Sequence, residues 1–394
     1  MDDKNRTLLT YNSIQENPTI YNVGELNADM SSSLSGTPAL SAQGGRHKNG
    51  YELPGKVAIL YSDVKREYFP TESQYITEKG ADKDAAIIGE YVNKLNIDVN
   101  LFAGDADLPK NLREYKPEMV FNLVDSVKGI ESLSSSIPGL LEILEIPYTG
   151  ADILGMSLDT NKFVIKKLLQ QNGIPTPYYQ LFNSSTDALD STLRFPLISK
   201  LNEIHGAVEI TNDAVSENEK QLRERLKFLI QTYKQPVLVE EFIVGREVTA
   251  ILLEGLNKKV YLAEKIFTKP DEKYIFATFE DQWVKGKDAF HYEKYNDPIL
   301  REYVKKTFDV TKMYDYAKFD VRIDQSGRYF FIDTNCNPAF GPKETDVAIS
   351  TILDLYGISF TEILKRLIVN TIRDAAGKER LPPTSSELES DNTN

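Results

Sequence analysis

Between Tyr316 and Pro338 the chain alternates apolar and polar residues twice, in YAKFDVRID and RYFFIDTNCNP, on either side of Gln325-Ser326-Gly327. Alternation flanking a glycine-bearing break predicts two strands joined by a tight turn. Phe319, Val321 and Ile323 share one parity of the first strand, and Phe330 and Ile332 share one parity of the second. A turn centred between Gln325 and Ser326 sets Asp320 opposite Phe331 and Lys318 opposite Asp333, and cross-strand partners point to the same face. One face is then apolar and packs inward, while Lys318, Asp320, Asp333 and Asn335 line the other.

Upstream, KVAILYSD (56–63) and PEMVFNLVD (117–125) are short apolar runs of the kind found in buried parallel strands. Between them DAAIIGEYVNKL (84–95) has helical spacing and IDVNLF (97–102) reads as a strand; alternation of this kind predicts a small doubly wound α/β module closed by the helical PGLLEILEI. In LDTNKFVIKKLLQQNGIPTP the apolar face is Val164, Ile165, Leu168 and Leu169, and Gly173 with Pro175 ends the helix. FPLISKLNEIHGAVEI (195–210) predicts a strand ending at Lys200, a loop with His205-Gly206, and a second strand. Ser216 and Glu219 have capping-box spacing ahead of the helix face Leu222, Leu226, Leu229 and Ile230. PVLVEEFIVGREVTAILLEG joins two strands across Gly245, DPILREYVKKTFDVTKMYDY leads as a helix into the hairpin, and closing helices run to about 374. No internal repeat is visible.

Composition narrows the class. At 394 residues, two or three modules are expected, and 41% hydrophobic residues are enough for their cores. A formal net charge of −13 without any basic run argues against nucleic acid as the partner. The single cysteine, Cys336, excludes an internal disulfide and a cysteine-based zinc cluster. No apolar run is long enough to span a bilayer, and no apolar signal core follows Met1, so a cytoplasmic protein without membrane partners is expected.

A lysine and three oxygen-bearing side chains on one sheet face suit Mg²⁺ that also holds phosphate oxygens. The same face on an ordinary amphipathic hairpin would be solvated, but the apolar YFFI runs straight into Asp333, Asn335, Asn337 and Pro338, which favours a site. In an acidic chain, lysines near such a site become informative. Lys162 sits in a first helical turn, where the macrodipole disfavours it, and Lys200 ends a strand before a loop whose N–H groups can fold over phosphates. Glu240, Glu241 and Glu247 concentrate three carboxylates around one bend, as acceptors for adenine or ribose donors or as a solvated edge. His205 reads as a loop residue, since spacing assigns it no partner.

Six segments in this order, PEMVFNLVD, LLEILEIPYTGAD, LDTNKFVIKKLLQQNGIPTP, VEEFIVGREV, FDVRID and FIDTNCNP, resemble the ATP-grasp superfamily, and within it the D-alanine–D-alanine ligase-like branch, over roughly residues 55 to 372. The resemblance implies an α/β chain, α+β in its ATP-binding part, with an ATP-grasp fold behind the doubly wound module. Polar composition marks disordered tails at 1–53 and 377–394; between them the resemblance divides the chain into a module at 54–152, a lid subdomain at 153–245 and a catalytic and metal subdomain at 246–376. By resemblance, Lys162 and Lys200 bind ATP phosphates, Glu240, Glu241 and Ile243 meet adenine (Ile243 through its backbone), and Glu247 takes the ribose hydroxyls. Asp320, Asp333 and Asn335 hold Mg²⁺, two ions in the implied arrangement with Mn²⁺ as an admissible substitute, and Lys318 stabilises charge in the reaction. The implied chemistry is attack of a carboxylate on the γ-phosphate to give an acyl phosphate, then displacement of phosphate by an amine.

The chain departs from the family pattern at Gly206-Ala207 in the phosphate loop, at Gln282 before the sole tryptophan, at Lys318 in place of arginine, and at Ala339 in place of glycine. It has no clear counterpart of the acidic signature for the first D-alanine. The expectation is therefore a carboxylate–amine ligase acting on small amino-acid-like substrates other than the D-alanine pair, compatible with a homodimer. A genuine D-alanine–D-alanine ligase and a nucleotide-binding homologue without turnover are the alternatives.

Overall fold

The computed structural model describes residues 53–255, 257–268, 272–284 and 289–375. The two expected tails lie outside the described residues, apart from Leu53. Strands β1 (Lys56–Tyr61), β2 (Asp98–Ala103) and β3 (Met119–Leu123) form a parallel sheet in the order β2-β1-β3. Val57 and Ile59 of β1 pack with Ala85, Ile88 and Val92 of the helix Ala81–Asn93, while Ala58 and Leu60 pack with Leu108, Leu112 and Leu141. Successive side chains of one strand thus serve two cores, which is why this strand reads as a continuous apolar run.

A second sheet is antiparallel, in the order β4-β7-β5-β6, from β4 (Tyr179–Phe182), β5 (Leu197–Leu201), β6 (Val215–Ser216) and β7 (Val237–Glu241). The helix Glu219–Tyr233 covers it with Leu222, Leu226, Leu229 and Tyr233. Its N-cap is Asn218, whose side chain accepts from the Gln221 N–H; Ser216, expected to cap it, is buried in β6 instead. The strand expected after His205 does not form either. Ala207 and Glu209 take positive φ values, which turn the chain rather than extend it.

The third sheet is also antiparallel, in the order β10-β9-β8-β11-β12, from β8 (Gly245–Leu253), β9 (Lys259–Phe267), β10 (Phe290–Tyr295), β11 (Tyr316–Asp324) and β12 (Tyr329–Asn335). The bend expected at Gly245 carries the chain from the second sheet to the third. A side chain there would meet the Ile323 carbonyl oxygen at 2.0 Å, so only glycine lets β8 lie this close to β11. Phe319, Val321 and Ile323 face a core with Leu300, Val304 and Phe308 of the helix Pro298–Val310. The helices Ile153–Asp159 and Lys162–Gln171, assigned from sequence to the lid, bury Met156, Ile165 and Leu169 in this same core and so pack on the third sheet.

The hairpin register differs from the expected one. Ile323 pairs with Tyr329 and Val321 with Phe331; then the register shifts, and Asp320 pairs with Asp333 and Lys318 with Asn335. The turn centres on Ser326, so the pairing is offset by one residue from the expected one, and Ile332 is the extra residue of a bulge. Phe331, not Phe330 or Ile332, is therefore the buried apolar side chain of β12. A register offset by one residue moves a strand to its other face, and the bulge moves it back, so the four expected side chains still share one face. The closing helices Ala348–Leu355 and Phe360–Ala375 tie β8 to the first module through Ile352, Leu364 and Ile368. No helix among the described residues is long and apolar enough to cross a membrane.

Candidate active site

One cavity of about 960 Å³ is lined by all three modules, and every residue singled out in the sequence opens onto it: Lys162, Lys200, Glu240, Glu241, Ile243, Glu247, Lys318, Asp320, Asp333 and Asn335. At one end the bulge puts Asp320 and Asp333 side by side. Asp320 accepts from Thr249 Oγ1 at 2.8 Å and forms an ion pair with Lys318. Burial alone would push the Asp320 carboxyl up, but the Lys318 and Lys265 ammoniums hold it down to about 2. Burial is likewise overcome at Asp333 by Lys162 and Lys318, which keep it below the ordinary carboxylate range. Lys318 itself is raised, its carboxylate neighbours outweighing its burial. Asn335 donates to Asp333 Oδ2 at 3.2 Å.

The bulge also organises the lysines. Lys200 donates to the Ile332 carbonyl at 3.1 Å, and Lys166 donates to the carbonyls of Phe331 at 2.7 Å and Ile332 at 3.2 Å. Both pair with Glu240, each at 2.6 Å. Burial would raise the Glu240 carboxyl, but Lys166 and Lys200 hold it below its ordinary value. Lys162 points into the same cleft from the first turn of its helix, donating to the Ile204 carbonyl at 2.7 Å. Three ammoniums from two elements therefore gather beside two carboxylates. Lys166 escaped the sequence reading; its spacing of four from Lys162, on one helix face, was the available signal.

Toward the bend, Glu247 is buried between Lys265 at 2.7 Å and Arg322 at 3.0 Å. Arg322 also donates to the Ile243 carbonyl at 3.2 Å and stacks 5.0 Å from the centre of the Phe242 ring. Arg322 has the same parity as Lys318 and Asp320 on β11, which sequence inspection could have used. Glu241 accepts from the Arg194 N–H at 2.8 Å.

His205 does have a partner, 74 residues away in sequence and so invisible to spacing. Its Nδ1 lies 2.6 Å from Glu131 Oε2, and Glu131 also accepts the His205 backbone N–H. The adjoining Gly206 carbonyl accepts from Trp283 Nε1 at 2.8 Å, holding this loop over the cleft.

The residues at the hairpin fit a magnesium ion. Two ionised carboxylates on neighbouring strands and one amide oxygen are hard donors, and they leave coordination positions for phosphate and water. Among the described residues no cluster of three His, Cys, Asp or Glu side chains could hold a metal, which leaves this mixed carboxylate and amide set as the candidate.

The family described as "D-ala D-ala ligase C-terminus" matches residues 168–369, just over half of the chain. The chain is 30% identical to the D-alanine–D-alanine ligase of Pseudomonas entomophila over 288 residues, covering 72% of this chain and 84% of that one. It is 29% identical to the corresponding ligase of Aquifex aeolicus over 266 residues, covering 66% and 84%. Among solved structures, the Bacillus anthracis D-alanine–D-alanine ligase complexed with ATP superposes with a TM-score of 0.62 at 18% identity, over 81% of this chain and 98% of that one.

Proposed function

We propose, from the premise that this chain belongs to the D-ala D-ala ligase C-terminus family and is an ATP-grasp ligase that forms amide bonds, that it joins a small carboxylic acid to an amine other than the D-alanine pair. In this reading a substrate carboxylate oxygen attacks the γ-phosphorus and ADP leaves. The amine nitrogen then attacks the acyl carbon, phosphate leaves, and one amine proton is lost. Lys162 and Lys200 neutralise phosphate charge, and Lys166 fixes Lys200 by sharing Glu240. The bend carries the nucleoside: Glu240, Glu241 and the Ile243 backbone toward adenine, and Glu247 toward the ribose. Held by Lys265 and Arg322, Glu247 still has oxygen lone pairs for hydroxyl donors. Asp320, Asp333 and Asn335 hold Mg²⁺, as two ions with Mn²⁺ tolerated; when bound, the metal offsets the negative charge of the triphosphate.

The observation that carries this reading is the convergence of Lys166 and Lys200 on the strand that bears Asp333, with Lys162 in the same cleft and close enough to lower the Asp333 carboxyl. The departures at Gly206-Ala207, Lys318 and Ala339 support a different substrate pair. The named relatives favour the second reading, a ligase for D-alanine itself. Phosphate release from Mg²⁺–ATP in the presence of single amino acids and pairs separates the two. The expected result is stimulation by acid and amine pairs with D-alanine ineffective, and stimulation by D-alanine alone would establish the second reading. Light scattering would test the homodimer that the first reading allows.

A further inference from the structure

Beyond the lysines, the cavity has a wall of the opposite sign that the reaction described above leaves unused. Glu78, Asp125, Glu131 and Asp159 all open onto it, with His205 as the imidazole among them. They come from the helix Glu72–Glu78, the loop after β3, the turn at Glu131–Ser135 and the helix Ile153–Asp159, so the cluster exists only in the folded chain. Asp125 is tied to the metal strand's loop by Asn337, which donates to it at 3.3 Å, and Asp159 accepts the Cys336 N–H at 3.2 Å. This wall therefore abuts the reacting end of the cleft.

Among the described residues of the wall, four carboxylates face one imidazole, which Glu131 and Asp159 favour in its charged form. His205 is engaged by Glu131 through Nδ1, and its Nε2 lies 3.9 Å from Asp159, beyond hydrogen-bond reach. Asp159 is 8% exposed, and its Oδ1 has no hydrogen-bond partner among the described residues. A buried carboxylate oxygen left unpaired is costly unless something in the functional complex pairs it. The four carboxylates also act on one another: burial, and then Glu78 and Glu131, push Asp125 well above its ordinary value. Burial pushes Glu78 up to about 7.

We propose that this wall binds the basic side chain of a substrate, an ammonium or guanidinium separate from the reacting amine. The inference rests on the ligase reading and specifies its substrate class. Net charge decides between substrates. A zwitterion with a neutral side chain brings no net positive charge and leaves the carboxylates repelling one another. A lysine, ornithine or arginine brings one, and an ammonium has three donors for oxygens such as Asp159 Oδ1. The chain's overall charge of −13 also draws cations toward the cleft.

The test uses the full chain with Mg²⁺–ATP. Phosphate release is measured with the lysine, ornithine and arginine enantiomers against alanine, glutamine and glutamate, each with and without a second amino acid, and lysine binding is measured by calorimetry. The expected preference in kcat/KM for a basic over a neutral amino acid is at least about tenfold, the lower end for one hydrogen bond to a charged group. It should shrink toward unity in Asp159→Asn and weaken as NaCl is raised. Equal turnover of alanine and lysine in the parent overturns the inference, and so does a preference that survives in a folded Asp159→Asn. If Asp159→Asn does not fold, the parent's substrate preference and salt dependence decide alone. Lysine binding without any amino-acid-stimulated phosphate release would support the subsite while the ligase reading fails.

Discussion

Asp320 and Asp333 stand directly opposite one another on adjacent strands because Ile332 bulges out between Phe331 and Asp333. The same bulge offers the Ile332 carbonyl to Lys166 and Lys200. One extra residue thus sets both the carboxylate pair and the lysines that face it, so the groups proposed to hold metal and phosphate are positioned as one unit.

Replacing Asp333 with Asn should therefore act on the metal before it acts on the fold. We expect Mg²⁺-dependent tightening of ATP binding to fall by more than about 100-fold, above the ~10–100-fold typical of losing an outer-sphere partner. Metal-free ATP binding should change little. Calorimetry with and without Mg²⁺ measures both, and an unchanged Mg²⁺ response would remove Asp333 from the metal site.

Glu240 is the carboxylate shared by two buried ammoniums. Glu240→Gln leaves both lysines without a counter-charge and should cost about 3–5 kcal/mol in unfolding free energy. Lys166→Met should cost less, because Glu240 keeps Lys200. Combining the two changes should recover part of the loss, because only one ammonium then remains unpaired. Urea unfolding of the three variants checks the order.

Much of this was legible in the sequence. The strand and helix periods located the doubly wound module, the two strands that meet at Gly245 and the shared face of Lys318, Asp320, Asp333 and Asn335. What was missed depends on contacts remote in sequence. His205 meets Glu131 across 74 residues, Lys166 reaches Glu240, and a bulge leaves no compositional mark because Ile332 is an ordinary strand residue. The capping error at Ser216 has a local cause: Asn218 has the same three-residue spacing to Gln221 and lies clear of β6.

Glu78 gives the chain a stability profile that falls with pH. Burial pushes its carboxyl up from an ordinary 4.5 to about 7, with the Ser126 hydroxyl opposing. Below about pH 4.5 both folded and unfolded states are protonated. As pH rises toward 7 the unfolded state gives up its proton first, so folding loses up to about 3 kcal/mol from this group. Glu78→Gln should reduce that slope and leave stability at pH 4.5 nearly unchanged. Asp125 and Asp159 are raised in the same sense, so some slope should persist. Urea unfolding between pH 4.5 and 8 checks it, and identical slopes in parent and variant would be inconsistent with a raised Glu78.

Trp283, the chain's only tryptophan, donates to Gly206 in the loop over the cleft. Its fluorescence should change saturably on addition of Mg²⁺–ATP. A Cβ at Gly206 would lie 2.7 Å from the Thr77 methyl, at a φ of +70°. Gly206→Ala should therefore lift the loop, weaken ATP binding and reduce the fluorescence change. A silent tryptophan in a chain that binds ATP would separate this loop from the nucleotide.

In the proposed reading Lys318 bears on both metal and turnover, and its replacement should move them in opposite directions. Its ammonium pairs with Asp320, so in the resting site it competes for an oxygen that a metal ion would use. Asp320 and Asp333 hold it protonated against its burial, so it is a full positive charge at neutral pH. Charge builds on the acyl oxygen when the amine attacks, and a cation beside the metal strand can stabilise it. Lysine supplies that charge as a point, without the planar fork of arginine. Lys318→Ala should then bind Mg²⁺ more tightly, because Asp320 is released, while turnover drops by roughly 100-fold or more, the scale of losing one oxyanion donor. Lys318→Arg should retain part of the activity. Metal titrations of ATP binding and steady-state phosphate release measure the two effects. A Lys318→Ala variant that turns over as fast as the parent would show that the lysine serves only to neutralise Asp320.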